Sequence, residues 1–281
     1  MATLSMTSTF RLNDGNAMPI LAFGTAATQN CKQEVLTALR HSYTHVDTAH
    51  VYRTEPEVGE AIRASGIPRS QLYVTSKLWD PDFTREAALQ GVKKSLTTMQ
   101  LDHLDLFLLH NPRGGPERRR DAWLGLQDAV DAGLVRSIGV SNWSVKHLEE
   151  LAGDDRVKIV PACNQIEFHP WCQQAEIVKY CVAKGIQVTA FSALAQGKRM
   201  DDELVAHLAD KYGKSPSQVI LRWMVQHRHI VPITKSSKEE RVKQTTEIFG
   251  WELESKDCED IDKLDEGMKA RIGDWDPDAH E

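Results

Sequence analysis

The chain has 281 residues, 41% hydrophobic and 26% charged, which is enough to bury one large core and is ordinary for a globular enzyme. A formal net charge of -6 argues against electrostatically driven binding to nucleic acid. No run approaches the ~18 consecutive apolar residues of a membrane-spanning helix, and the opening MATLSM has neither a basic n-region nor an apolar h-region, so no secretory signal is expected.

The first predicted element is a hairpin. Phe10-Arg11-Leu12 and Ala17-Met18-Pro19-Ile20 flank Asn13-Asp14-Gly15-Asn16, an Asp-Gly turn between two short strands. Short β-rich runs then alternate with longer amphipathic ones. Strands are predicted at 21–24, 45–47, 72–76, 104–109, 135–140, 162–166, 187–191 and 230–232. The run at 104–109 is almost continuously apolar, as parallel strands covered on both faces are. Between strands, Ala88, Val92, Leu96 and Met99 share one helix face. Ser215-Pro216 starts a helix whose apolar side is Val219, Ile220, Trp223 and Met224. Repeated β-then-α units give a doubly wound sheet or a closed barrel, and about eight units point to the barrel. No linker divides the chain, so a single domain over 1–281 is expected, with an irregular tail over about 268–281.

Four polar residues fall at or just after strand ends. Asp47 closes 45–47, Tyr52 lies in the next loop, Lys77 follows 72–76 and His110 follows 104–109. In a parallel barrel such ends converge on one face. An acid, a phenol, an ammonium and an imidazole can together protonate a carbonyl oxygen while another group delivers a hydride. A free phenol has a pKa of about 10. An ammonium at Lys77 would lower it, and Asp47 would hold Lys77 in place. A neutral imidazole is expected at His110, so close to Lys77.

The contexts carry a resemblance. HVDTA from His45 with Tyr52 beyond it, SKLW from Ser76, LLHNP from Leu108, GVSN from Gly139, NQIEFHP from Asn164 and ITKSS from Ile233 occur in this order. From about Phe10 to about Gly267 the chain resembles the aldo-keto reductases, and the quartet resembles their catalytic tetrad. The resemblance implies a (β/α)8 TIM barrel with the hairpin closing its N-terminal end, and NADP(H) extended across the C-terminal mouth. Ser141, Asn142 and Gln165 would then hydrogen-bond the nicotinamide carboxamide, and Phe191, where the family often has Tyr, would stack on the ring. Ser192 and Leu194 would touch the pyrophosphate, and Gly24 and Thr25, with Asp47, would lie under the cofactor. Lys235, Ser236, Ser237 and Arg241, near a helix start at Lys238, make a good 2′-phosphate site and favour NADPH over NADH. Gln244 stands where many relatives place an adenine-contacting acid.

Substrate selection is expected from loops at 111–116 (leading into Glu117, Arg118, Arg119 and Arg120) and 195–200, and from the tail. Trp79, His110, Asn111 and Trp275 are the expected substrate contacts, the tail lying near the mouth. Asn111 departs from the aromatic residue many relatives carry there, and makes that wall smaller and more polar.

Five cysteines (Cys31, Cys163, Cys172, Cys181 and Cys258) form no CxxC pair. Their odd number argues against a disulfide framework or zinc site and for a reducing, cytoplasmic setting. Cys172 and Cys181 read as helix residues. Asn142-Trp143-Ser144 fits the glycosylation pattern, a coincidence in a chain read as unsecreted. GxGxxG, P-loop, HExxH and GxSxG motifs are absent.

The reading is therefore a metal-free, NADPH-dependent reversible reduction of an aldehyde or ketone. The partner is a small carbonyl compound, with no nucleic acid and no membrane, and the resemblance suggests a monomer. Two rivals remain open at this point: a cofactor-binding regulatory protein with little turnover, and an aldolase or isomerase using Lys77 as a Schiff base.

Overall fold

The computed structural model describes residues 4–79, 83–273 and 276–279. It opens with β1 (Thr9–Arg11) and β2 (Ala17–Pro19), paired antiparallel with Phe10 opposite Met18. The Asp-Gly turn between them is tight. Leu12 N donates to Asn16 O at 2.8 Å, and Asp14 accepts from Asn16 N at 2.9 Å. Gly15 sits at φ 88°, a conformation that only glycine adopts at no cost.

Eight parallel strands follow: β3 (Ala22–Gly24), β4 (His45–Asp47), β5 (Tyr73–Leu78), β6 (Leu104–Leu109), β7 (Val135–Ser141), β8 (Cys163–Glu167), β9 (Gln187–Phe191) and β10 (Val231–Thr234). They pair in chain order, and β10 pairs with both β9 and β3, so the sheet is a closed barrel rather than a doubly wound one. Among the described residues ten α-helices accompany them: α1 (Cys31–Arg40), α2 (Glu55–Ser65), α3 (Arg85–Met99), α4 (Gly115–Asp131), α5 (Val145–Ala152), α6 (Ala175–Ala183), α7 (Glu203–Tyr212), α8 (Pro216–Trp223), α9 (Glu239–Thr246) and α10 (Ser255–Asp262).

The apolar strand β6 shows how a barrel uses both faces. Leu106 and Leu108 point inward, into a cluster with Ala22, Tyr73, Ala162, Cys163 and Val231. Phe107 and Leu109 point outward, into the larger core under the helices. Leu12 and Met18 of the hairpin join the inner cluster, so β1 and β2 close the N-terminal end of the barrel. Asn13 and Asn16 tie the hairpin down by donating to Pro161 O (2.9 Å) and Ser137 Oγ (3.0 Å).

The predicted helix faces are buried as patterned: Ala88, Val92, Leu96 and Met99 on α3, and Val219, Ile220, Trp223 and Met224 on or just after α8. Ser215 caps α8 in a reciprocal pair with Gln218. Between α3 and α4 a Cβ on Gly125 would come within 2.1 Å of Arg85 O, so that crossing requires glycine.

Some boundaries move. β5 runs to Leu78 rather than to residue 76, because Lys77 and Leu78 pair in register with Leu108 and Leu109. Lys77 therefore lies inside the strand. β10 extends to Thr234, since Ile233 and Thr234 pair with Ala22 and Phe23. Cys181 is in α6 as expected, but Cys172 is not helical. It closes a tight bridge with His169, whose N–H donates to Cys172 O at 3.2 Å. Pro170 within that turn has no N–H to offer a helix. All five thiols are free and buried. No helix among the described residues is long and apolar enough to cross a membrane.

Candidate active site

Alternation along β5 puts Lys77 inside the barrel, completely buried. Its ammonium donates to Asp47 Oδ1 and, at 2.8 Å, to Thr48 O. A buried charge survives only when paired and hydrogen-bonded, and Asp47, 3% exposed at the end of β4, supplies the partner. Burial alone would depress the Lys77 ammonium. Asp47, with the Tyr52 phenol beside it, outweighs that and holds it above the ordinary lysine value. A lysine so firmly charged is a poor Schiff-base nucleophile, which counts against the aldolase alternative.

Tyr52 ends a short 3-10 turn, His50–Tyr52, that follows β4. Its ring lies beneath the ammonium, 5.1 Å from Lys77 Nζ to the centroid, and its hydroxyl is 3.3 Å from His110 Nε2. Burial pushes the phenol up, Lys77 pulls it down and Asp47 adds to the upward push; the balance is up. The expectation that Lys77 brings the pKa down thus holds for its own influence but not for the sum, because desolvation is larger. Tyr52 is consequently a fully protonated phenol at neutral pH.

His110 directly follows β6. Burial first, then the charge on Lys77 and then His50, hold it well below the ordinary histidine value, so the imidazole is neutral as expected. Its Nδ1 is buried without a hydrogen-bond partner. Tyr52 and Trp79 both meet the His110 ring edge-on, at 5.5 and 5.1 Å between centroids. The quartet read from the sequence is therefore one cluster.

The mouth holds several of the other predicted residues. Ser141 ends β7, and its Oγ donates to Gln165 O at 2.9 Å. Asn142 follows at φ 62°, a left-handed conformation that asparagine tolerates better than most residues, and donates to His110 O at 3.1 Å. Its Oδ1 is buried with no partner. Gln165 lies within β8, not at its end, and donates to Asp47 Oδ2 at 2.9 Å, a link the sequence did not reveal. Thr25 Oγ1 donates to Asp47 O at 3.2 Å, while Gly24 packs against Ile233. Phe191 closes β9 half-buried; Ser192 takes φ 51° and Leu194 packs on the core.

The end of β10 is set differently. Lys235 reaches across the barrel seam and donates to Ala26 O (2.9 Å) and Ala27 O (3.2 Å). Beside it Lys235, Ser236 and Ser237 line a hollow of about 480 Å³ with residues 27–30 and the start of α1. Ser236 Oγ accepts from Lys238 N at 3.0 Å, and α9 begins at the next residue, so the helix start read near Lys238 is borne out. Arg241 is exposed in the first turn of α9, and Gln244 is half-buried one turn on. Glu239 and Glu240 share that first turn, and Glu239 is held by His41 Nε2 at 2.9 Å.

Of the expected substrate contacts, Trp79 and His110 meet at the cluster. Asn111 is completely buried, and its Oδ1 accepts from Arg113 N at 2.9 Å, so it shapes its own loop. Arg119, once only one of a run of charges, is buried on α4 and donates to Pro112 O at 2.6 Å. The tail is anchored by Glu167, the last residue of β8. Its carboxylate accepts from Ile272 N (2.5 Å) and Gly273 N (3.0 Å). Trp275 lies outside the described residues. Among the described residues no cluster of His, Cys, Asp or Glu could hold a metal ion.

The arrangement fits a nicotinamide cofactor on its own terms. The unpartnered Asn142 Oδ1 offers an acceptor to a carboxamide, and half-buried Phe191 closes β9. Exposed Lys235 and Arg241 suit an anion.

Comparison with known proteins gives the same picture. The model of the aldo/keto reductase family matches residues 20–266. A glyoxal reductase of Bacillus subtilis is 41% identical over 269 residues, covering 95% of this chain and 96% of its own. A methylglyoxal reductase of Escherichia coli is 36% identical over 92% of this chain and 94% of its own. Among solved structures, an aldo-keto reductase from a Medee basin deep-sea metagenome library superposes with a TM-score of 0.91 at 34% identity, covering 96% of this chain and 98% of that one. A Bombyx mori aldo-keto reductase in complex with NADP gives 0.87 at 34%, covering 96% of each.

Proposed function

Since the chain belongs to the aldo/keto reductase family, we propose that it reduces small aldehydes and ketones with NADPH, reversibly, using Tyr52 as the proton donor. The observation that supports this most directly is the Tyr52 hydroxyl 3.3 Å from His110 Nε2 with the buried Lys77–Asp47 pair behind it.

NADPH, when bound, supplies the hydride that adds to the carbonyl carbon. The protein's residues do the rest. His110 is neutral, and with its proton on Nε2 it would donate to the carbonyl oxygen and fix where that oxygen sits. Tyr52, protonated at neutral pH, gives its proton to the same oxygen as charge develops there. Lys77 stabilises the phenolate left behind, and Asp47 keeps Lys77 charged and in place. Ser141, Asn142 and Gln165 would hold the carboxamide, with Phe191 against the ring and Gly24 and Thr25 beneath it. Ser192 and Leu194 would flank the pyrophosphate; Lys235, Ser236, Ser237 and Arg241 would take the 2′-phosphate, with Gln244 beside the adenine. Lys235 would leave the Ala26 and Ala27 carbonyls to do so. The whole chain would act as one domain.

Two relatives are named for glyoxal and methylglyoxal, and a small 1,2-dicarbonyl is the substrate class we favour. The test is a turnover panel of glyoxal, methylglyoxal and a bulky aromatic ketone, each with NADPH and NADH. Preference for the small dicarbonyls with NADPH is expected; no turnover of any carbonyl would overturn the reading in favour of a cofactor-binding regulator. Tyr52→Phe should lose at least ~10²-fold in kcat while NADPH affinity stays within about threefold, a change of less than ~1 kcal/mol.

A further inference from the structure

A buried carboxylate outside the quartet stands close to the turn that carries Tyr52. Glu55 opens α2, three residues after Tyr52, and is only 5% exposed. Its Oε1 accepts from Ser76 Oγ at 2.7 Å and from Ser95 Oγ at 2.5 Å. His50, the first residue of the Tyr52 turn, places Nε2 2.6 Å from the same Ser95 Oγ. The proton count follows from the acceptor. Ser95 has one hydroxyl proton and donates it to Glu55, so its oxygen must accept from His50. The chain then reads His50 Nε2–H to Ser95 Oγ–H to Glu55, with Ser76 donating from the other side. His50 Nε2 is therefore a donor in this chain.

The placement matters more than the bonds. Ser76 precedes Lys77 on β5, and strand alternation turns Ser76 outward where Lys77 turns inward. Glu55 therefore grips the outer face of the strand whose inner face holds the ammonium beside the Tyr52 ring. Ser95 adds a third element, α3. The turn bearing Tyr52 is bracketed on its other flank as well: Lys77 donates to Thr48 O, and Thr48 and Thr54 share a hydroxyl hydrogen bond of 2.9 Å. Arg53, next to Tyr52, sits at φ 60°, a conformation such a segment keeps only when its surroundings impose it.

We propose that Glu55 is a positioning residue for carbonyl reduction, holding the Tyr52 turn against β5 and α3 through Ser76, Ser95 and His50 so that the phenol stays in register with Lys77 and His110. This rests on the reading of Tyr52 as proton donor. A misplacement of ~1 Å can cost on the order of 10²-fold in rate, so a loosened turn should show in kcat before anything else.

The test compares Glu55→Ala, Glu55→Gln and Ser95→Ala with Tyr52→Phe, measuring kcat and KM for methylglyoxal, NADPH affinity by quenching of tryptophan fluorescence, and thermal midpoint. Glu55→Ala should lower kcat on the order of 10- to 10²-fold with NADPH affinity within twofold. Glu55→Gln, which keeps an acceptor oxygen for both serines, should recover most of that loss. Ser95→Ala, a gentler change if Glu55→Ala folds poorly, should lower kcat by roughly 3- to 10-fold. Wild-type kcat in folded Glu55→Ala or Ser95→Ala would overturn the proposal, as would a parallel fall of kcat, cofactor affinity and midpoint. If Tyr52→Phe itself turns over normally, the proton-donor reading fails first and is recognised as the cause.

Discussion

Lys77 and Asp47 are both almost wholly out of water, and neither could stay charged there alone. The pair is therefore structural as well as chemical. Removing one partner of a buried ion pair leaves an uncompensated charge, a loss of about 3 kcal/mol or more. Asp47→Asn should lower stability by roughly that amount in urea unfolding, and the double variant with Lys77→Met should recover part of it. An Asp47→Asn protein as stable as wild type would mean that Thr48 O and nearby dipoles satisfy the ammonium without a carboxylate. At this scale the sequence was legible where a residue's neighbours are local. Asp47 and His110 sit at strand ends that apolar runs announce. Glu55 was missed because an acid in the first turn of a helix is ordinary, and nothing in the chain reveals that Ser76 and Ser95 converge on it. Gln165 was placed at the mouth, but its bond to Asp47 spans residues far apart in sequence.

Among the elements, α9 and the end of β10 carry cofactor choice in the proposed reading. Arg241 is exposed in the first turn of α9, while Glu239 and Glu240 beside it bring opposing charge to the same turn. Arg241 must outweigh them for a 2′-phosphate to bind. Arg241→Ala should weaken NADPH by on the order of 10-fold or more, the loss of one charge-assisted contact of about 1.5–3 kcal/mol, and leave NADH within about twofold. Equal losses for the two cofactors in fluorescence titrations would remove Arg241 from the 2′-phosphate site. The strands themselves were readable because parallel strands buried on both faces are written as short apolar runs. Their ends were less so. β5 gained Lys77 because a charged residue looks like a terminator until its carboxylate partner is known. Cys172 looked helical because Trp171-Cys172 is apolar, whereas Pro170 and the His169 bridge make it a turn. The loops at 111–116 and 195–200 carry no periodicity, and Asn111 turned inward to Arg113 for lack of any signal in the chain.

At the scale of the whole molecule, the buried titratable groups set a pH window for stability. Burial lowers His45 to about 4, and His110 lies well below its ordinary value. Below pH ~6.5 their counterparts in the unfolded chain take up protons that the native state refuses, so stability falls with pH between there and about 4. At the other end burial raises Cys31, Cys163, Cys172 and Cys181 to about 12, and Cys258 to about 11. Above pH ~8.5 the unfolded thiols ionise first, and stability falls again as pH rises. Urea midpoints should therefore be flat between about pH 6.5 and 8.5 and drop on both sides. A midpoint still rising at pH ~10 would contradict the burial of the thiols.

The barrel also closes between its first strand and its last, with Lys235, just after β10, bonded to the Ala26 and Ala27 carbonyls. During synthesis the four polar residues leave the ribosome long before β10 does. Until that last strand arrives, β3 has only one neighbour and both edges of the sheet stand open, templates for pairing with another chain. A nascent chain therefore owns every group of the quartet and none of its geometry. Pairing of β10 with both β9 and β3 is the step that covers both edges and completes the mouth.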